Sequence, residues 1–371
     1  MKEMFRDERS SVASVKFVGA KTGRKRGLSR FWGSARFVTG AVLATGLLSY
    51  GVGVPAANAV TLHNVRIVIG GGTDFTDASL YYAVNQLRGE GINVTLSNLA
   101  DPASALEAVV SGQADIYVGD PMEAAVAVAN AGAALQYVGT IEQTTDYEIL
   151  AQPQFTLSNL AGATIATAGP GTAGAIIANA AFAKLGIAPS SLHSVKVGGT
   201  SARVTAILAG QVDLAPVLAP SAVPAVATGK VKILLNAGKI LGKYLQEGLI
   251  ASSSYVKNYS TIVQAVVSAF MTSSRWAFSN EAAFLSVAQA NQLTGSLTVA
   301  QQRSSWFQLR NANFYATNGA VCVNAILQTE RYTYAAGGSL TAANTPKYSS
   351  WVNSTFVKKY LKAHKQKTTL C

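Results

Sequence analysis

At 371 residues the chain is too long for one ordinary hydrophobic core and fits two domains. With 49% hydrophobic and 13% charged residues it reads as globular and rather apolar. The formal charge of +12 sits at the ends: residues 1–59 hold ten Lys and Arg against three acids, and Lys358, Lys359, Lys362, Lys365 and Lys367 crowd the C-terminus. The body between is close to neutral, so its charge gives no case for a nucleic-acid partner.

Lys21, Arg24, Lys25, Arg26, Arg30 and Arg36 precede an apolar run from Phe37 to about Val54, followed by Ala57-Asn58-Ala59. A basic segment, an apolar stretch and A-x-A read as a secretory signal over 1–59, cut after Ala59. An uncleaved anchor is the other reading, but the run is short for a span and carries Gly40, Gly46, Gly51 and Gly53. The mature chain is therefore expected to be soluble and exported. Its two cysteines, Cys322 and Cys371, could pair in an oxidising compartment and tie the tail to the body.

Val65–Gly70 is β-branched and ends in Gly70-Gly71-Gly72, which predicts a strand and a tight corner. Thr73, Asp74 and Thr76 can cap a helix over Asp77–Arg88, or the exposed N–H groups there can meet a ligand. Asn93–Leu99 reads as a strand, Asp101–Gly112 as a helix with Pro102 at its first position, and Ile116–Val118 as a strand. Gly119-Asp120-Pro121-Met122 is a second corner, before a helix over Glu123–Ala131 and a strand over Gln136–Ile141.

Tyr147–Ala151 is the expected crossing into a second lobe, and Gly248–Ser252 the expected return. Between them come a helical turn at Leu157–Gly162, strand Thr164–Ala168, helix Ala175–Leu185 and strand His193–Val197. A helix containing Arg203 follows, capped by Thr200 or Ser201, then a strand after Asp213, helix Ser221–Thr228 and strand Lys230–Asn236. The corner Gly169-Pro170-Gly171-Thr172 lacks the Gly-Lys-Ser/Thr of a Walker loop and the acid of a dinucleotide fold. Beyond Thr261 the texture turns helical: Ile262–Ser279, Glu281–Leu293 and Thr298–Leu309, then an amphipathic helix over Lys347–Tyr360. The aromatics Trp306, Phe307, Phe314 and Tyr315 are expected in the core.

The pattern repeats. ALEAVVSGQAD (Ala105–Asp115) and RVTAILAGQVD (Arg203–Asp213) align without a gap, each running into an apolar strand-like stretch. The elements before them match too, from VRIVIGGGT against ATIATAGPGT onward. The repeated unit predicts two α/β lobes with a cleft between them. Asp115 and Asp213 could be paired acids, but their matched contexts favour a brace between helix and strand in each lobe.

Catalytic chemistry has little to stand on. His63, His193 and His364 form no metal-binding pair and no nucleophile elbow occurs, so neither a metal, a cofactor nor a catalytic residue is expected.

GGTSARVTAILAGQVDLA (Gly198–Ala215), LAGATIATAGPGTAG (Leu160–Gly174), EAVVSGQADIYVGDP (Glu107–Pro121) and YEILA (Tyr147–Ala151) together resemble a family. It is that of the periplasmic solute-binding proteins of ABC importers, of the sulfonate, nitrate and taurine type that includes binders of thiamine-precursor pyrimidines. The resemblance covers about residues 63–330 and implies a type II binding-protein fold, two α/β lobes joined by two crossings and closing on a ligand. It divides the chain into signal 1–59, first lobe 60–147, second lobe 148–254, helical completion of the first lobe 255–357 and basic tail 358–371.

Carried over by position, the corners put Gly72, Thr73, Asp74, Phe75, Asp120, Pro121, Met122, Gly171, Thr172, Thr200 and Ser201 at the ligand. Arg203 is either a ligand contact or half of a surface ion pair. Phe75, Met122 and Trp276 would cover an apolar part. The implied function is capture of a small organic or anionic solute by a monomer that docks on an inner-membrane ABC permease. An exported enzyme or a sensory binding subunit on the same fold is the alternative. Asp74, Asp77 and Asp120 suit a simple anion poorly, which brings amide-, amine- or ring-bearing solutes into range.

Overall fold

In a computed structural model, which describes residues 63–321, 323–335 and 340–367, the first β-branched run forms strand β1 (Asn64–Gly70). Then come α1 (Ala78–Gly89), β2 (Asn93–Leu99), α2 (Pro102–Val110), β3 (Ile116–Gly119), α3 (Pro121–Ala131) and β4 (Leu135–Thr144). The chain continues through β5 (Tyr147–Ala151), β6 (Thr164–Thr167), α4 (Ala173–Lys184), β7 (His193–Lys196) and α5 (Thr200–Leu208). It goes on with β8 (Leu214–Leu218), α6 (Ala219–Ala227), β9 (Lys232–Asn236), α7 (Ala237–Leu241) and β10 (Lys243–Ser252). The expected signal over 1–59 and both cysteines lie outside the described residues, so neither the cleavage site nor the Cys322–Cys371 pair is addressed by the structure.

Two five-stranded sheets result, in the orders β2-β1-β3-β10-β4 and β7-β6-β8-β5-β9. In the first, β1 runs parallel to β2 and β3 while β10 is antiparallel to β3 and β4. In the second, β6 runs parallel to β7 and β8 while β5 is antiparallel to β8 and β9. The two are the same arrangement built twice: a β-α-β-α-β run supplies three parallel strands, and the fourth strand is the one that has just crossed from the other sheet. Val65, Ile67, Val68 and Ile69 are all buried, as a parallel strand covered on both faces requires. The described residues, from 63 onward, belong to a single compact unit.

The return to the first sheet comes earlier than Gly248. The chain turns through α7 and Gly242, and the whole of β10 pairs with β3 and β4. The segment Leu157–Gly162 is a turn without a helix. Gly199 rather than Thr200 or Ser201 is the N-cap of α5, which has no side-chain cap.

After β10 the chain is helical, through α8 (Ser253–Asn258), α9 (Ser260–Ser279), α10 (Glu281–Ala290), α11 (Val299–Asn311), α12 (Val323–Ala335), α13 (Tyr348–Trp351) and α14 (Thr355–Ala363). Helix α9 packs against α1, α14 and β4, so this part completes the first sheet's layer. Trp306, Phe314 and Tyr315 are buried, but Phe307 is exposed, against the core position expected for it. Helix α12, which the apolar spacing does not reveal, packs on both α4 and β10. Its buried face carries Thr329 and Thr333, whose hydroxyls donate to the carbonyls four residues back at 2.9 and 3.2 Å. Polar residues satisfied inside their own helix interrupt the apolar stripe.

The single helix expected over Lys347–Tyr360 is broken. Val352 bridges to Tyr137 of β4, and the Asn353 N–H donates to the Tyr137 carbonyl at 2.9 Å, so the backbone there is committed to the sheet. Part of the expected basic tail is structured for the same reason: α14 buries Phe356, Val357, Tyr360 and Leu361 and carries Lys358, Lys359 and Lys362 on its other face.

The duplicated Asp residues occupy matching places. Asp115 accepts from the Arg66 N–H at 2.7 Å, and Asp213 accepts from the Thr164 N–H at 2.7 Å. Each thus ties the strand it precedes, β3 or β8, to the start of the parallel neighbour β1 or β6. Arg66 adds a side-chain ion pair of 2.7 Å, and Thr164 a hydroxyl donor at 2.7 Å. The brace is therefore strand to strand rather than helix to strand. Asp213→Ala strands the Thr164 donors and should cost about 1–3 kcal/mol in urea unfolding. A loss below about 0.5 kcal/mol would show that the brace is dispensable.

Candidate functional site

The C-terminal ends of the parallel strands in both sheets face one another, where open α/β sheets bind ligands. Gly70-Gly71-Gly72 after β1 and Gly119-Asp120 after β3 come from one sheet. Ala168–Thr172 after β6 and Gly199-Thr200 at the start of α5 come from the other. They enclose a cavity of about 80 Å³. The two glycine corners touch: a Cβ at Gly199 would fall on the carbonyl oxygen of Gly71. Gly199 has φ −66° and ψ 176°, which any residue adopts, so glycine is needed there for the close approach alone.

A second contact crosses the cleft. Glu123, on α3, accepts a hydrogen bond from the Ala173 N–H at 3.0 Å, placing a carboxylate from one sheet's side at the N-terminus of α4 on the other's. Its second oxygen accepts from the Tyr117 hydroxyl. Asp120 is the N-cap of α3, accepting from the Met122 N–H at 2.7 Å and from the Tyr244 hydroxyl at 2.9 Å. Arg203 is buried rather than paired at the surface. Its guanidinium donates to the Pro216 and Gly198 carbonyls at 2.7 and 2.6 Å and to the Thr200 hydroxyl at 3.1 Å.

Towards the crossings the lining becomes acidic. Glu142 on β4 and Glu247 on β10 are opposite each other across the strand pair, and Gln246 links Glu142 to Asp146 through its amide nitrogen at 2.7 and 3.1 Å. Asp77 receives the Asp74 N–H at 2.7 Å, and Asp74 in turn caps the short turn Phe75–Asp77 through the Thr76 N–H at 2.8 Å. Asp74, Asp77, Asp120, Glu123, Glu142, Asp146 and Glu247 are seven of the chain's eighteen acids, gathered around a cavity whose lining includes one cation, Arg203. Burial drives their pKa values up: Glu123 and Asp146 to about 7, Glu247 to about 8, with Asp74 raised and Asp77, Asp120 and Glu142 held well above the ordinary carboxylate range. For Glu142 the neighbouring Glu247 charge adds to the effect, and for Glu247 the charges of Asp74 and Asp146 do.

Of the residues singled out from sequence, Gly72, Asp120, Thr172, Thr200 and Arg203 line the cavity. Thr73, Asp74, Pro121 and Gly171 stand beside it without lining it, and Ser201 is exposed. Phe75 and Met122 are fully buried, Phe75 edge-on to Phe284, and Trp276 stacks on Tyr82 at 4.0 Å, and none of the three lines the cavity. The corners alone did not point to Tyr117, Glu123, Glu142, Tyr147, Gln246 and Glu247, which also line the cavity. A signal for two of them exists: in a chain this poor in charge, Glu142 and Glu247 interrupt otherwise strand-like runs.

Residues 78–283 match the family described as NMT1/THI5 like, more than half of the chain. The chain belongs to the NMT1/THI5-like family. The match takes in every lining residue from Pro102 to Glu247 and begins after the Gly70–Asp77 corner. No curated protein sequence matches the chain at the significance threshold.

Solved structures share the fold of this NMT1/THI5-like chain. One from Bordetella bronchiseptica RB50 is 19% identical with a TM-score of 0.70, covering 82% of this chain and 98% of its own. The zinc-bound ligand-binding component of an ABC-type import system from Staphylococcus aureus is 14% identical with a TM-score of 0.65, covering 80% and 99%. The alkanesulfonate-binding protein SsuA from Xanthomonas axonopodis pv. citri, bound to MOPS, is 21% identical with a TM-score of 0.62, covering 78% and 98%. Among the described residues of this chain, no group of three or more acidic, His or Cys side chains could hold a metal ion.

Two outcomes follow from this geometry. Gly199→Ala leaves the local backbone unstrained but blocks the approach to Gly71, so the variant should show a larger radius of gyration in X-ray scattering; an unchanged radius would show that the corner contact does not control closure. The acids give the second. Their pKa values are raised on folding, so their stability contribution is full below the unfolded range near 4 and is lost as pH rises through about 7–8. The melting temperature without ligand should fall by at least about 5 °C between pH 5 and pH 8, and a flat or rising profile by calorimetry would contradict this.

Proposed function

We propose that this NMT1/THI5-like chain is an extracytoplasmic solute-binding protein that closes two lobes on a small solute and delivers it to an ABC permease. In this reading the first lobe carries β1–β4, β10 and the helices after it, and the second carries β5–β9. The protein acts as a monomer in the periplasm once the 1–59 signal is removed, by capture without turnover. The observation that carries the reading is the cavity itself. It lies between two copies of one α/β arrangement, is lined by strand ends and helix starts from both, and is bounded by two chain crossings that can serve as a hinge. Support for a permease partner comes from the Staphylococcus aureus protein of the same fold, a ligand-binding component of an ABC-type import system.

Thr172, Thr200 and Arg203 on one side and Gly72 and Asp120 on the other are proposed to hold the solute, with Tyr117 and Tyr147 supplying ring surface. Binding favours closure only by its preference for the closed form. A thermal-shift panel of sulfonates, nitrate, aromatic carboxylates, amides, amines and pyrimidines tests this: a bound solute raises the midpoint, by about 2.7 kcal/mol of added stability at a hundred times its Kd. Asp120→Asn, which keeps the α3 cap, and Thr172→Ala should each weaken the hit. A panel without any hit, together with native mass spectrometry showing no co-purified solute, would turn the reading towards a docking or sensory role.

A further inference from the structure

Three of the seven acids lie on or beside the two strands that carry the chain between lobes, and the hydrogen-bond inventory around them is lopsided. Glu142 lies on β4, Asp146 in the β4–β5 crossing, and Gln246 and Glu247 on β10. Three buried side-chain oxygens here have no hydrogen-bond partner: Asp74 Oδ2, Asp146 Oδ2 and Gln246 Oε1. Gln246 is 7% exposed and lines the cavity, and its nitrogen is already spent on Glu142 and Asp146, so its oxygen is an acceptor that only a ligand or solvent can serve. Neighbouring phenols are committed as well, Tyr244 to Asp120 and Tyr315 to the Thr76 carbonyl at 2.6 Å.

Unpartnered buried acceptors are costly, and like charges directly opposite each other in an antiparallel pair repel. Glu142 and Glu247 form such a pair when both are ionised, and the β4–β10 register is irregular at Glu247. A sulfonate or nitrate has no N–H to give to Gln246 Oε1 and adds negative charge beside carboxyls whose ionisation burial and mutual repulsion already oppose. A group bearing several N–H donors and a positive charge relieves both together, accepting nothing and donating to Gln246 Oε1 and the carboxylates around it.

We propose that the hinge side of the cleft, built from Asp77, Glu142, Gln246 and Glu247 with Asp146 behind them, is a subsite for an organic cation rich in N–H donors, an alkylguanidinium or alkylammonium. This rests on the solute-binding reading and names the class of solute. The cation would sit over the paired strands β4 and β10, where its charge offsets the repulsion between Glu142 and Glu247. Arg203 and Ala173, at the start of α4, line the same cavity from the second sheet's side.

The test is a thermal-shift and calorimetric titration of the purified protein at pH 7.5 with agmatine and putrescine, beside taurine, ethanesulfonate, nitrate and magnesium chloride. A midpoint rise with agmatine or putrescine, with Kd raised at least about tenfold in Glu247→Gln, is the expected result. That variant removes a buried charge at constant shape, so it should fold, and its ligand-free midpoint at pH 8 should equal or exceed the parent's. A response to ethanesulfonate or nitrate with the two amines silent would overturn the cation subsite and leave the solute-binding reading standing. An equal response to magnesium would overturn the requirement for N–H donors. Silence of both amines overturns the proposal whatever the anions do.

Discussion

Each half of this molecule holds a strand that belongs, by position in the chain, to the other. β5 enters the second sheet between β8 and β9 directly after the first crossing, and β10 enters the first sheet between β3 and β4 directly after the second. Both are antiparallel to their neighbours, because a chain arriving from the opposite lobe runs back along the strand it joins. The exchange fixes where the crossings lie and puts Glu142, Asp146 and Glu247 on or beside them. It also aims the ends of β1, β3 and β6 at a common space, so the cavity is a by-product of how the sheets are completed.

Within that space two kinds of contact oppose each other. The Gly71–Gly199 approach and the Glu123–Ala173 hydrogen bond hold the lobes together, while a group of buried carboxyls resists burial unless protons or partners neutralise it. Desolvation is the first cause for each of the seven acids, and mutual repulsion adds to it for most. Opening the cleft rehydrates the carboxylates and breaks the two cross-cleft contacts at once. Closure and ionisation are thereby linked without any dedicated switch residue.

Much of the architecture was legible in the sequence because it was written twice. The GQxD repeats announced matched helix ends, and Gly112 and Gly210, at φ 76° and 71°, do end α2 and α5 in the left-handed region. The strand-to-helix corners were legible for the same reason, and four of the residues named from them, Gly72, Asp120, Thr172 and Thr200, line the cavity. What local pattern could not convey was what lies across the cleft. Glu123 reads as an ordinary first-turn acid of α3 until α4 of the other lobe is seen above it. Gln246 and Glu247 read as the polar members of a strand until β4 is placed beside them. Phe75 and Met122 sit in the right corners but turn inward, since large apolar side chains are more stable against Phe284 and the sheet than at a solvated cleft. Helix α12 stayed hidden because its buried threonines satisfy themselves.

The exchanged strands also set a timetable. During synthesis the first sheet has β1, β2, β3 and β4 long before it has β10, the strand that joins β3 to β4, and the missing piece emerges only after the whole second sheet. At ~5–20 residues per second, the nascent chain spends seconds with β3 and β4 unable to join through their proper neighbour. The first sheet is thus completed only once the chain has been made as far as β10. The exchange of strands that places the cavity therefore also sets the order in which the two sheets can be completed.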